Sequence, residues 1–389
     1  MLGCISYKYH TRFVAIVVTS CDEKNQRKMQ NKPVIIGKCT QMCPESEITM
    51  RESQRLLHPM EILTHSKTKA DRTKMVKEFC RSSAGQHMQK PEVLRPFDTL
   101  NDTIAYLLFE AINMDEFAFH IRYDYICDRL RAVRQDMIIQ DLPKHEAICI
   151  LQPIVRFYTY ASYRMCDEPL QKYDPHLNNK HFQECLKRLL SLYDDCEEFE
   201  TRFPHRIDYS TLYADSRPQI EAIYVLFNLG SGEALNRALR LNERWKNTAE
   251  LQVAIKVSLL YRNNNFVAVC RLVKTLPHLM AAIVMLRMPA IRKTCLQVMS
   301  WGYSSKNLRF PLEKLQELLL YESQDELLED VKCCGLEYHL PDDIFDVKGG
   351  VVFGKDKFNV DVNLGVRKVN FVNEKLKKYK VHELVLFGN

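Results

Sequence analysis

Apolar residues along this chain recur at helical spacing, and from about residue 97 the pattern is nearly continuous. In DTLNDTIAYLLFEAIN they fall at 100, 104, 107, 108 and 111, the i, i+4, i+7, i+8, i+11 stripe of a helix with one face in a core. RYDYICDRLRAVRQDMIIQ repeats the logic with Ile126, Leu130, Val133 and Met137. Its other face is a lattice of charge, including Asp128 and Arg131 three positions apart. KHFQECLKRLLSLYDDCEEF sets Phe182, Leu186, Leu189 and Tyr193 on one face and ends in acids.

The first part of the chain is less regular. Residues 1–36 lack a convincing period, and CDEKNQRKMQNK reads as a flexible, charged approach to a fold that starts near Gly37. Pro44 then opens a helix with Glu45 and Glu47 in its first turn, where the helix dipole favours negative charge. Met50, Leu56 and Leu57 continue it, and Pro59 ends or bends it. Asp71 announces a second helix through KMVKEFCRSSAG, closing at Gly85, before a turn-rich stretch with Pro91 and Pro96.

Farther on, helix-ending signals stand at Gly230, at Asn263 to Asn265 and at Gly302, a recurrence of 34 to 38 residues. That period fits stacked helix pairs in a solenoid, although no consensus repeat accompanies it. The helices between the breaks are PQIEAIYVLFNLG, EALNRALRLNERW, AELQVAIKVSLLY, FVAVCRLVKTL and PAIRKTCLQVMSWG. After them FPLEKLQELLLY and QDELLEDVKCCGLEYHL read as two short helices, and VVFGKDKFNV as β-rich text around Gly354. Helix, helix, strands and a basic tail suggest a winged-helix module. The expected fold is mainly α: a flexible segment over 1–36, a helical-repeat solenoid over 37–305, and a winged-helix-like end with a basic tail over 306–389.

Composition narrows the class. At 389 residues, with 46% hydrophobic and 27% charged positions and only 12 Gly and 15 Pro, the chain reads as globular and helix-rich. A net charge of +6 is too mild to mark a nucleic-acid binder by itself. Cys127, Cys185, Cys270 and Cys295 stand singly in apolar helical faces, a pattern that fits a reducing compartment. FVAIVV near the N-terminus is too short for a signal-peptide core, and nothing later reaches membrane-span length. A soluble, intracellular protein is expected.

Three groups of residues carry candidate chemistry. Cys39 and Cys43 offer two thiolates, but a tetrahedral zinc site needs four ligands. Neither the adjacent Cys333 and Cys334 nor the lone His58 completes such a set. The alternative is a packed collar in which the thiols point inward, Pro44 starts a helix and Arg51 anchors it on a carboxylate. A cysteine nucleophile would need a fixed base, and the sequence fixes none near either thiol; Walker, dinucleotide and zincin motifs are absent as well. DRLRAVRQD, with three arginines in six positions, is either a nucleic-acid contact or, given the interleaved Asp128 and Asp136, an internal charge network. Arg367, Lys368, Lys375, Lys377, Lys378 and Lys380, opposed only by Glu374 and joined by Lys355 and Lys357, form either a phosphate-facing strip or a solvated face.

GKCTQMCPESEITMRE also resembles the N-terminal signature of the Sac/GANP family, the germinal-centre-associated nuclear protein relatives. The matching residues are Gly37, Cys39, Met42, Cys43, Pro44, Glu47 and Arg51. The likeness continues through KEFCRSSAG, PEVLRP, QPIVRFYTYASYRM, NNKHFQECLKRLLSLYDD and EAIYVLFNLG. It centres on the helix bearing Asp128, Arg129, Arg131, Arg134 and Gln135, and spans roughly residues 37–350. The resemblance implies a non-enzymatic PCI-type scaffold, a helical-repeat body with a terminal winged helix, needing no cofactor, membrane or small-molecule substrate. Long family members serve nuclear mRNA export, pair with another PCI-type subunit and present a joint surface to nucleic acid. Without Phe-Gly repeats, a centrin-binding helix or an acetyltransferase-like extension, this chain is most like the short, stand-alone members. The expectation is therefore centrosome duplication and spindle assembly through protein partners, in nucleus and cytoplasm and at the centrosome and spindle in mitosis. An RNA- or DNA-binding adaptor in mRNA export is the alternative.

Overall fold

A computed structural model describes residues 35–388 apart from Lys67, 82–89, 204–212, 341–348, Lys355 and Lys357. It is mainly helical and divides into two compact units. The first comprises the described residues within Met1–Tyr158, Lys180–Arg217 and Val381–Asn389; the second comprises Thr159–Asn179 and Pro218–Lys380. No helix among the described residues is long and apolar enough to cross a membrane.

The first unit opens with α1 (Glu45–Ser53), which has Pro44 at its N-cap, Glu45 and Glu47 in its first turn and Arg51 in its last. It stops because Arg55 turns to φ 56°, and the Leu56 N–H closes back on the Arg51 carbonyl. Pro59–Glu61 make one 3-10 turn, capped by His58, whose Nδ1 accepts from the Met60 N–H. The helix expected from Asp71 to Gly85 is absent among the described residues, its last part lying outside them. Lys74 and Met75 close one turn on the Asp71 carbonyl, and residues 75–81 then run without helix. Their N–H groups are taken elsewhere: Val76 donates to Glu61, Lys77 to the Met42 carbonyl, Glu78 to Glu47 and Phe79 to Asp128. Tertiary acceptors that claim four successive donors leave none for an i to i−4 ladder.

Helix α2 (Phe97–Ala105) runs into a π-helical turn, Tyr106–Glu110, and a 3-10 turn, Ala111–Asn113. The stripe Leu100, Ile104, Leu107, Leu108 and Ala111 is wholly buried. Helix α3 (Phe119–Ile139) buries Ile126, Leu130, Val133 and Met137. Helices α4 (Lys144–Arg164) and α5 (Pro175–Arg202) follow, each contributing residues to both units.

The second unit continues with α6 (Arg217–Phe227, in this unit from Pro218), α7 (Gly232–Arg240), α8 (Glu243–Lys246), α9 (Ala249–Arg262), α10 (Phe266–Val273), α11 (His278–Met285) and α12 (Met288–Gly302). The breaks lie where the sequence puts them, at Gly230 (φ 91°) and Asn264 (φ 56°) and at the end of α12. Side chains of Ser231, Asn242 and Asn265 cap the helices that follow. Unlike its neighbours, α11 is buried on every side.

The unit ends in β1 (Phe310–Pro311), α13 (Leu312–Leu319), α14 (Gln324–Cys333), β2 (Glu337–His339) and β3 (Gly350–Val352). The strands form an antiparallel sheet of order β1-β3-β2, with Val351 opposite both Phe310 and Tyr338. Leu315 and Leu319 lie in its core. Arg292 of α12 binds this end piece, donating to the Leu319 and Leu320 carbonyls and stacking 3.8 Å from the Tyr321 ring. The segment read as a basic tail instead folds into α15 (Asn370–Lys377) and α16 (Val381–Phe387). Helix α16 belongs to the first unit: Leu384, Val385 and Leu386 are buried, His382 meets the Phe109 ring edge-on at 4.4 Å, and Arg156 donates to the Leu386 carbonyl.

Candidate functional site

The cysteine-proline stretch, the 3-10 turn and α3 converge on a buried network of ions. Glu61, fully buried, sits at its centre. It accepts from Arg51 Nη1 at 2.8 Å, Arg129 Nη2 at 3.1 Å, the Val76 N–H at 3.1 Å and, more loosely, the Tyr125 hydroxyl at 3.4 Å. Glu78 lies on the same two guanidiniums, 3.0 Å from each. Arg51 also donates through Nη2 to the Val76 carbonyl and to Cys43 Sγ, and its Nε stands 3.5 Å from Glu47. Arg129 reaches Asp128 and stacks 4.9 Å over the Tyr125 ring. Two cations shared among four carboxylates is a tightly cross-linked arrangement, with several lone pairs on Glu61 satisfied at once.

A second node lies beside it. Asp136, fully buried, accepts from Lys77 Nζ at 2.7 Å and Arg95 Nε at 2.8 Å; Arg95 also donates to the Met42 carbonyl at 3.2 Å. Gln140 donates to the Arg95 carbonyl and accepts from the Gly37 N–H at 2.8 Å. Gly37 has no room for a side chain: a Cβ there would lie 2.4 Å from the Leu94 carbonyl oxygen. The Lys38 and Cys39 N–H groups bind the Pro91 and Leu94 carbonyls, which ties the chain's approach to the segment before α2.

The chemistry of the two thiols follows from this setting. Cys43 packs with Ile48, Ala70 and Met75. Burial, then the charge of Glu47, pushes its thiol far above the ordinary range, so it stays protonated although Arg51 is near. Cys39 is buried too, its Sγ on the Gln41 carbonyl at 3.3 Å. No group of three or more metal-ligating side chains stands together among the described residues. The arrangement can hold backbone segments together.

The arginines of α3 divide by face. Arg129 turns into the ion network, while Arg131 stacks 3.8 Å over the Phe79 ring and Arg134 pairs with Glu184 of α5 at 3.1 Å. Gln135 donates to the Cys80 carbonyl. Two of the three acids of this helix serve other segments: Asp128 takes the Phe79 N–H, and Asp136 takes Lys77 and Arg95. Glu61, Lys77, Glu78, Arg95 and Gln140 were not singled out by sequence reasoning. The one signal available is a charged residue set among apolar ones, as Glu61 is in PMEIL.

The C-terminal basic residues are opposed by more than Glu374. Arg367 pairs with Glu329 at 2.9 Å and Asp330 at 2.8 Å, and Lys368 with Asp167 at 2.5 Å. Lys375 donates to the carbonyls of Lys274 and Leu276 just past α10, and burial, then Lys378, lowers its pKa. Lys377 pairs with Glu374 on its own helix. Lys378 and Lys380 are exposed, and Lys355 and Lys357 lie outside the described residues.

With this geometry in place, the chain can be set beside known proteins. The profile of the SAC3/GANP family matches residues 42–339. The chain is similar to Protein xmas of Drosophila melanogaster, 26% identical over 312 residues that cover 77% of this chain and 14% of that protein. It is 25% identical to SAC3 family protein B of Arabidopsis thaliana over 317 residues, 79% of this chain and 18% of that one. SAC3 family protein 1 of Schizosaccharomyces pombe is 22% identical over 336 residues, 81% of this chain and 31% of that one. The chain thus spans less than a third of the length of these curated relatives. Because the profile takes in the second cysteine, the buried ion network, α3 and the helices up to β2, the chain belongs to the SAC3/GANP family.

Proposed function

We propose that this chain is a non-enzymatic scaffold of PCI type, pairing with another PCI-type subunit or with centrosome and spindle proteins, and serving centrosome duplication and spindle assembly. On this reading the helical body and the winged-helix-like end are the docking parts. The protein is present in nucleus and cytoplasm and reaches the centrosome and spindle in mitosis.

The observation that carries the reading is an exposed apolar run at the end of α12 and before β1. Val298 and Trp301 stand one turn apart on α12, and Tyr303 and Leu308 follow, with Trp301 and Leu308 each 66% exposed. Large apolar side chains held in water beside a small sheet mark a surface that gains by being covered. The other reading, an RNA-binding adaptor in mRNA export, draws less support. At least four of the six C-terminal basic residues are engaged, Arg367, Lys368, Lys375 and Lys377 with carboxylates or carbonyls of the same unit, which weakens a phosphate-facing strip.

Proximity labelling from the full-length protein in dividing cells, with and without RNase, tests the choice. Centrosomal and spindle neighbours that survive RNase and are lost in Trp301→Glu/Leu308→Glu support the scaffold. RNase-sensitive export and pore neighbours, lost instead in Lys377→Glu/Lys378→Glu, overturn it in favour of the adaptor.

A further inference from the structure

Helix α3 carries two arginines, and α5 a histidine, that the ion network does not use. Arg131 sets its guanidinium carbon 3.8 Å from the Phe79 ring centroid and makes no ion pair or hydrogen bond among the described residues. Stacking covers the face of a guanidinium and leaves its planar edge of N–H donors available. One turn on, Arg134 donates to Glu184 Oε2 at 3.1 Å. The same oxygen lies 3.6 Å from His181 Nδ1. Apart from that contact, neither ring nitrogen of His181 has a hydrogen-bond partner among the described residues, although its side chain is only 12% exposed. Burial, then the charges of Arg131 and Arg134, holds that imidazole below its ordinary range, as expected where two cations converge on one ring.

Glu184 therefore marks a point at which an anionic oxygen is held between an arginine and a histidine. Its own carboxylate is 45% exposed and is carried on a flexible side chain. We propose that the surface where Arg134 of α3 meets Glu184 and His181 of α5 is a phosphoryl-binding site, taking a phosphorylated side chain of a partner protein on Arg131, Arg134 and His181, with Glu184 turning aside. A phosphate monoester carries nearly two charges and accepts bidentate bonds from a guanidinium edge, so it outcompetes a single carboxylate for these donors.

The surroundings favour a phosphopeptide over a nucleic acid. A polyanion needs a succession of cations along its path, whereas Asp124, Asp128 and Glu184 are interleaved here and would repel it on either side of the one favourable point. Ile138, one turn past Arg134 and 65% exposed, offers apolar contact to a residue flanking the phosphate.

The test is fluorescence anisotropy on the full-length chain with labelled Leu-Ala-phosphoserine-Ala-Leu, its unphosphorylated form and oligouridylate. The phosphopeptide is expected to bind about tenfold or more tightly than its serine form. Arg131→Lys, which keeps the charge and loses the fork, should weaken binding several-fold. Glu184→Gln, which removes the competing carboxylate, should tighten it, a gain that misfolding cannot imitate. Equal or absent binding of the two peptides overturns the proposal, as does indifference to Glu184→Gln. Oligouridylate binding that exceeds the phosphopeptide's and falls with Arg131→Lys also overturns it and makes this surface a nucleic-acid contact.

Discussion

Replacing Glu61 by Ala removes the acceptor on which two buried guanidiniums meet, and the size of the effect follows from what remains. Arg51 is fully buried and Arg129 only 4% exposed, so neither can turn to water. Removing one member of a buried ion pair costs about 3–5 kcal/mol, because the surviving charge keeps its desolvation penalty. Glu78 still touches both arginines, which puts the expected loss near the lower end, ~3 kcal/mol. For a unit of this size that is a fall of roughly 6–12 °C in the transition that melts it. Scanning calorimetry of Glu61→Ala, Arg51→Met and the double variant gives the magnitude and the coupling, expected to be on the order of 2 kcal/mol. High salt should leave the difference intact, since screening acts weakly on buried pairs. A shift under about 2 °C with additive single effects would refute the reasoning and make the network a hydrated one.

Other perturbations probe separate parts of the same region. Gly37→Ala drives a Cβ into the Leu94 carbonyl and should cost about 1–3 kcal/mol in chemical denaturation; a neutral result would mean the segment yields without loss. Cys39→Ser/Cys43→Ser should lower thermal stability without changing metal content, and stoichiometric zinc in the purified wild-type protein by plasma emission would overturn the collar. Burial, then Arg129, holds His58 below its ordinary range, and its Nδ1 accepts from Met60. Its contribution to stability is therefore present above the unfolded value of about 6.5 and is lost as pH falls through the lower folded one. His58→Gln should flatten the stability curve just below about pH 6.5, and an unchanged slope there would refute the assignment. Arg55→Gly relieves a left-handed residue on an exposed corner and should stabilise by roughly 0.5–1 kcal/mol in urea melts; a loss would contradict the backbone argument.

Elements whose apolar residues keep a helical period are legible in the sequence alone, as α2, α3 and the breaks at Gly230 and Asn264 illustrate. Helix α11 shows the limit: HLMAAIVM is buried on all sides, so it has no polar face from which a period could be read. Residues 75–81 fail in the opposite way. KMVKEFC has the composition of a helix, but four of its backbone donors are drawn to acceptors that lie between 15 and 49 positions away in the chain. The collar itself was half legible. Arg51 needing a carboxylate follows from its place in an otherwise packed turn, while the choice of Glu61 and Glu78 depends on how three segments fold together. The basic C-terminus misled as a tail because Arg367 and Lys368 meet Asp330 and Asp167, acids distant in sequence.

The return of Val381–Phe387 to the first unit matters during synthesis as well as in the finished molecule. At about 5–20 residues per second, a ribosome takes on the order of 10–30 s to travel from Arg217 to Val381. A first unit that folds within that interval lacks α16, so the apolar seat for Leu384, Val385 and Leu386, beside Tyr106–Glu110, is uncovered. A polypeptide that terminates early carries that open seat permanently, as a ligand for chaperones and proteases. Full-length translation is the event that closes it.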